Sequence, residues 1–162
     1  MIRRATIGDL DAVLPLVGAY RAFYRRELDP ARERACILQH LTQGTSVMFI
    51  ERNQDLVRGF VQLFTTHSTV ALGPSLLLED LFVIPDARGE GVATGLIATA
   101  MEYAREIGAV GMYLETGMDN RVAQRLYERC GWVCIGVVAV KFRNGVTLNE
   151  FVYLAPDDAQ PS

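Results

Sequence analysis

Cysteine is scarce in this chain of 162 residues: Cys36, Cys130 and Cys134 are an odd count with no Cys-x-x-Cys spacing. That excludes a disulfide framework and a zinc ribbon, and the expectation is reduced, buried thiols. His40 and His67 are the two histidines, too few and too isolated for a metal site, so no metal is expected. Charge of one sign is also lacking. A net charge of −3 argues against nucleic acid and against anionic membrane surfaces as partners. No apolar run approaches the length of a transmembrane helix. The opening MIRRATIGDLD has no apolar core of the kind a secretory signal needs. The expected location is therefore cytoplasmic. Repeats and low-complexity tracts are absent. So is a P-loop, because no Gly-Lys-Ser or Gly-Lys-Thr follows the glycines.

What is present fits one mixed α/β domain over 1–155 with a polar tail over 156–162. Half the residues are hydrophobic, enough at this length to bury a core. Strands are expected at Met1–Ala5, Ser46–Arg52, Leu56–Thr66, Leu76–Ile84 and Val110–Thr116. Helices are expected at Asp9–Arg26, Ala31–Gln43, Gly89–Ile107 and Asn120–Cys130, with Gly108 and Gly131 as terminators. A last hairpin, Val133–Phe142 and Val146–Leu154, turns across Arg143-Asn144-Gly145.

The most informative stretch is LEDLFVIPDARGEGVATGL, Leu78 to Leu96. An apolar strand meets a proline, then Arg88-Gly89-Glu90-Gly91, then a helix running through Val92, Ala93 and Thr94. The first amides of a helix have no intrahelical partner, and the helix dipole favours negative charge there. Gly89 and Gly91 allow close approach, and Arg88 adds a forked cation suited to phosphate oxygens. The turn reads as a cradle for a phosphorylated small molecule. Two other readings stand beside it. One is a dinucleotide fingerprint, although Gly89, Gly91 and Gly95 miss its spacing by one; Glu115 could then serve as the ribose acid. The other is a plain tight turn.

A second strand–loop–helix unit, LETGMDNRVAQRLYERCGW, covers Leu114 to Trp132. Asp119 or Asn120 can cap its helix. Ala123, Leu126, Tyr127 and Cys130 recur at helical spacing. Within the central strand, Glu79 and Asp80 are adjacent and so face opposite ways. A carboxylate inside so apolar a strand has either an ion-pair partner or a task. Tyr20, Phe23 and Tyr24 make an aromatic cluster on the first helix.

Together these motifs resemble the GCN5-related N-acetyltransferases. Arg88-x-x-Gly91-x-Ala93 after an apolar strand is similar to that family's motif A, with Ala93 where many relatives have glycine. Asn120 with Tyr127 and Gly131-Trp132 is similar to its motif B. Ile2 to Thr6 followed by Asp9 resembles the family's first strand and helix entry. Leu78 to Val83 is similar to the strand of small-amine enzymes, the polyamine and diamine acetyltransferases among them.

The resemblance implies an acyl-CoA N-acyltransferase fold, with a central splayed mixed sheet flanked by helices. It implies acetyl-CoA as co-substrate and direct transfer to the primary amine of a small molecule in a ternary complex. A homodimer is expected. The diphosphate would lie on the amides of Arg88, Gly89, Glu90, Gly91, Val92, Ala93 and Thr94. The pantetheine arm would lie along Leu81, Phe82 and Val83, with Asn120 holding a water or a carbonyl. Tyr127 would protonate the departing thiolate, and Glu79 would draw the proton from the substrate ammonium. Asp80 and Tyr24 are further candidates for contact with the amine. The competing class is a non-catalytic acyl-CoA-binding module on the same fold; acetylation of a protein or peptide amine is a second alternative.

Overall fold

A computed structural model of the chain describes residues 1–141 and 147–156. The predicted turn Arg143-Asn144-Gly145 and the predicted tail from 157 onward lie outside the described residues. The described chain has seven strands and four α-helices: β1 (Ile2–Arg4), α1 (Leu10–Phe23), α2 (Pro30–Gln43), β2 (Val47–Asn53), β3 (Leu56–Ser68), β4 (Gly73–Val83), α3 (Val92–Glu106), β5 (Gly111–Gly117), α4 (Arg121–Arg129), β6 (Val133–Lys141) and β7 (Thr147–Leu154). The class is mixed α/β, as the alternation of patterns predicts. Among the described residues no helix is long and apolar enough to cross a membrane.

Two compact units divide the chain, Met1–Thr65 with Asp80–Ala100 and Thr66–Glu79 with the residues from Met101 on. In the first, β1 pairs antiparallel with β2 and β2 with β3. Leu10, Val13, Leu16 and Val17 of α1 and Ile37 of α2 cover Met48, Ile50, Val57, Phe60 and Phe82. Asp29 caps α2 by accepting from the Arg32 amide, Pro30 follows at the first helical position, and Gly44 ends the helix in the left-handed region.

In the second unit β4 runs parallel to β5 from Ser75↔Gly111 to Leu78↔Leu114. Strand β5 then pairs antiparallel with β7, and β7 with β6. Leu76, Leu78, Met112, Leu114 and Tyr153 are almost wholly buried. Alternation along these strands gives them one buried face and one open face.

Element identities match the sequence reading, and three details correct it. Helix α3 begins at Val92 rather than Gly89, because Gly89 and Gly91 hold φ of 82° and 80° and cannot take helical geometry. Strand β4 begins at Gly73, ahead of the expected Leu76. The thiols are not uniformly buried: Cys36 and Cys134 are exposed and Cys130 is half-buried. Cys36 lies on the outer face of α2. Cys134 lies on β6, where consecutive residues from Val133 to Val137 are exposed.

Candidate active site

In the first unit, β4 ends at Val83 and the chain makes a 3-10 turn over Pro85–Ala87. The Ala87 amide donates to the Ile84 carbonyl at 3.1 Å and the Arg88 amide to the Pro85 carbonyl at 3.1 Å. The turn therefore consumes the Arg88 amide, and what Arg88 offers an anion is its side chain. Its Nε donates to the Val83 carbonyl at 3.1 Å, and its guanidinium stands 5.9 Å from the centre of the Phe82 ring. Gly95 donates the first helical bond of α3 to Gly91 at 2.9 Å. The amides of Val92, Ala93 and Thr94 precede that bond and open the helix.

Arg88, Gly89, Glu90, Gly91 and Thr94 are exposed, Ala93 is half-buried, and buried Val92 anchors the first turn. A Cβ added at Gly89 or Gly91 would meet nothing within 4 Å. The space above the turn is open, and the amides and dipole at the start of a helix of 15 residues suit a phosphate there. Leu81 and Asp80 are half-buried; Phe82 and Val83 are buried. Phe82 packs 5.7 Å from Tyr20, which holds Tyr24 edge-on at 5.1 Å. Tyr24 and Phe23 are themselves largely exposed. The aromatic cluster thus reaches from the core at Tyr20 to the surface at Tyr24.

In the second unit, Asn120 caps α4 by accepting from the Ala123 amide at 3.2 Å. Gln124 is buried, and its Nε2 donates to the carbonyls of Gly117 and Met118 at 3.0 and 3.1 Å. It ties the loop that presents Asn120 to the helix that carries Tyr127. Tyr127 is 6% exposed, its ring 6.0 Å from Trp132 and 6.0 Å from Tyr153. The Tyr153 hydroxyl donates to Glu128 at 3.1 Å, and burial with Glu128 alongside pushes it up to about 12.

Tyr153 is in register with Leu114, on the buried face of β5 and β7. Glu79 and Glu115 follow the last paired rung, Leu78↔Leu114, and point to the opposite, open face. Glu150 is in register with Gly117, two residues from Glu115, and so joins that face. The three carboxylates sense one another. Partial burial raises the Glu79 carboxyl above its ordinary range, and the charge of Glu115 adds to the effect. Burial likewise raises Glu150, followed by the charge of Glu115 and a hydrogen bond with it. Among the described residues no group of three His, Cys, Asp or Glu side chains is arranged to hold a metal ion.

The sequence singles out Glu79 and Tyr127, and it does not single out Gln124, Glu115 as a neighbour of Glu79, or Glu150. The signal for Glu150 was a single acid within the apolar run of β7. Its meaning depends on strand pairing, which local sequence does not carry.

Residues 14–132 match the acetyltransferase (GNAT) family. The chain is 37% identical over 131 residues to the uncharacterised N-acetyltransferase YhfO of Bacillus subtilis, covering 81% of this chain and 88% of that protein. It is similar to a solved structure described as a probable acetyltransferase, with a TM-score of 0.78 and 35% identity over 81% of this chain and 88% of the other. An aminoglycoside N(6')-acetyltransferase type 1 of Salmonella typhimurium is 27% identical over 57% of this chain and 71% of its own length. Acetyltransferases of this family use acetyl-CoA as co-substrate. The chain therefore belongs to the acetyltransferase (GNAT) family and is an acetyl-CoA-dependent N-acetyltransferase.

Proposed function

We propose that this N-acetyltransferase acetylates a primary amine of a cationic small molecule. The observation that carries the reading is the row of Glu79, Glu115 and Glu150 on the open face of β4, β5 and β7. Three carboxylates crowded on one face attract a cationic amine and stand ready to take a proton from it. The relative named as an aminoglycoside acetyltransferase supports a small polyamino substrate.

Acetyl-CoA supplies the thioester. Gly89, Glu90, Gly91, Val92, Ala93 and Thr94 hold its diphosphate by their amides, with the Arg88 side chain alongside, and Leu81, Phe82 and Val83 line its pantetheine arm. Asn120 orients the co-substrate or a water. Glu79 is the base. An alkylammonium has a pKa near ~10.4, so at neutral pH its proton must be removed before attack. A carboxyl raised toward neutrality is better matched to that transfer than an ordinary one. Tyr127 returns a proton to the leaving thiolate. Asp80 and Tyr24 help seat the amine.

The reading extends to a dimer in the cytoplasm. Val133, Ile135 and Val137 stand exposed on β6, last in the order β4-β5-β7-β6, where a second copy would cover them. The exposed thiols of Cys36 and Cys134 suit a reducing compartment.

The test is thiol release from acetyl-CoA against a panel of polyamines, aminoglycosides, amino acids and peptide N-termini. Turnover with di- and polyamines above all others is expected. Turnover confined to peptides would overturn the small-molecule reading, and binding without release would mark a sensing module. Glu79→Gln tests the base. The wild-type rate should fall as pH drops through the raised carboxyl. The variant should instead be slow near neutrality and recover as pH climbs toward the pKa of the amine. A parallel profile for the two proteins would remove Glu79 from the role.

A further inference from the structure

One residue of the cradle has the wrong charge. Glu90 lies between the two left-handed glycines, at the mouth of a site read here as binding a diphosphate. A carboxylate there repels the ligand unless something holds and neutralises it. Arg58 of β3 does both. Its Nη1 donates to Glu90 Oε2 at 2.6 Å. Its Nε and Nη2 donate to the two oxygens of Glu51 on β2, each at 2.8 Å. The planar fork of an arginine can serve two carboxylates at once, which a lysine cannot do with the same geometry. Side-chain exposure grades along the row, 8% at Glu51, 18% at Arg58 and 53% at Glu90. Glu51 is the buried anchor, and the guanidinium holds its carboxyl below the usual range.

Backbone geometry shows how Arg58 comes to face this way. The β2–β3 register pairs Glu51 with Gly59 and Arg52 with Val57, so Arg58 is the extra residue of a β-bulge. A bulge re-aims a side chain that regular alternation would send to the other face. The bulge is held against the turn, because the Ile84 amide donates to the Arg58 carbonyl at 2.9 Å. The next residue, Gly59, is packed so closely that a Cβ would fall 3.0 Å from the Phe82 carbonyl oxygen and 3.1 Å from Val92 Cγ1. Strand β3 is therefore fixed against both ends of the loop that carries Glu90.

We propose that Arg58 is a positioning residue for acetyl-CoA: it turns the Glu90 carboxylate out of the diphosphate cradle and holds the Gly89-Glu90-Gly91 turn open, with Glu51 as its anchor. The proposal rests on the reading that places the diphosphate at this turn. Arg58 acts through its bonds to Glu51 and Glu90, so its loss should weaken co-substrate binding and spare the chemical step.

The experiment measures kcat and KM for acetyl-CoA, and for S-acetylpantetheine, which lacks the diphosphate. Arg58→Ala should raise KM for acetyl-CoA about tenfold, the scale of a like-charge contact in a partly screened site, with kcat little changed. The rise should shrink as salt is added and should be absent with S-acetylpantetheine. Glu90→Gln alone should lower KM for acetyl-CoA, and Arg58→Ala with Glu90→Gln should recover most of the affinity lost. Should Arg58→Ala fail to fold, Arg58→Lys gives the same comparison, since it leaves Glu51 a cation and releases Glu90. A double variant no better than its Arg58 parent, or an equal loss with S-acetylpantetheine, overturns the proposal. Gly91→Asp separates this failure from a failure of the placement. If it leaves CoA binding untouched, the diphosphate lies elsewhere; if it abolishes binding while the double variant shows no recovery, only the role of Arg58 is lost.

Discussion

The rings of Tyr127 and Tyr153 lie 6.0 Å apart. The Tyr153 hydroxyl donates to Glu128, and burial keeps it protonated beyond the ordinary range. Tyr127 sits on the helix whose start Asn120 caps and whose loop Gln124 ties, so its position is set from two sides. On the proposed role of Tyr127 as general acid, Tyr127→Phe should lower kcat by about 10²–10⁴-fold, the usual cost of losing such a group. Acetyl-CoA affinity by calorimetry should stay within about twofold, since the ring and its packing remain. Tyr153→Phe is the contrast, with turnover kept and stability reduced by about 1 kcal/mol for the lost hydrogen bond. Equal turnover in wild type and Tyr127→Phe would leave Tyr127 as packing. The sequence spacing singled out Tyr127 because helical period and the Gly131 terminator are local signals. Tyr153 and Glu150 were not legible, because their roles come from partners 25 or more residues away along the chain.

At the scale of elements, the strand–turn–helix from β4 to α3 was readable, and its inner boundary was not. Apolar periodicity runs smoothly into Gly89, so the pattern alone extends the helix three residues too far. The positive φ of Gly89 and Gly91 decides otherwise and converts those residues from helix into an open turn. That makes the turn sensitive to any side chain. Gly91→Asp forces a left-handed conformation on a residue with a Cβ and adds negative charge where the diphosphate is proposed to lie. CoA affinity by calorimetry should fall at least about tenfold, the sum of a backbone penalty of ~1 kcal/mol and a like-charge contact. Gly91→Ala should lie between the two, since it carries the backbone penalty without the charge. The carboxylate face shows the opposite limit of legibility. Glu79 could be singled out within its own strand, but its neighbours Glu115 and Glu150 became neighbours only through the β4–β5 and β5–β7 registers.

For the chain as a whole, acid stability should depend on Asp9. Asp9 is buried, and Arg3 grips both its oxygens at 2.8 and 2.6 Å while the Thr6 amide and hydroxyl donate to it at 2.9 and 3.0 Å. The Arg3 guanidinium holds its carboxyl well below the usual carboxylate range. The unfolded chain protonates Asp9 near pH ~3.9 and the folded chain resists, so this contribution is full above that value and is lost as pH falls below it. Asp9→Asn should lower stability by about 1–3 kcal/mol at neutral pH, and the difference from wild type should narrow below pH ~4, as read from urea midpoints across pH. A constant difference would mean that the Asp9 charge contributes nothing. Much of this fold was legible because local patterns and global pairing agree; the exceptions are single residues whose place depends on register. Arg58 is one of them, and its bulge bears on how the chain tolerates a change in length. Removing one residue from a strand ordinarily slips the register and turns every following side chain to the wrong face. Here Gly59 already opposes Glu51 and Val57 already opposes Arg52. A chain shortened by residue 58 alone would keep every remaining β2–β3 partner in an unbroken ladder, and would lose the Arg58 bonds to Glu51 and Glu90 and the carbonyl that receives the Ile84 amide.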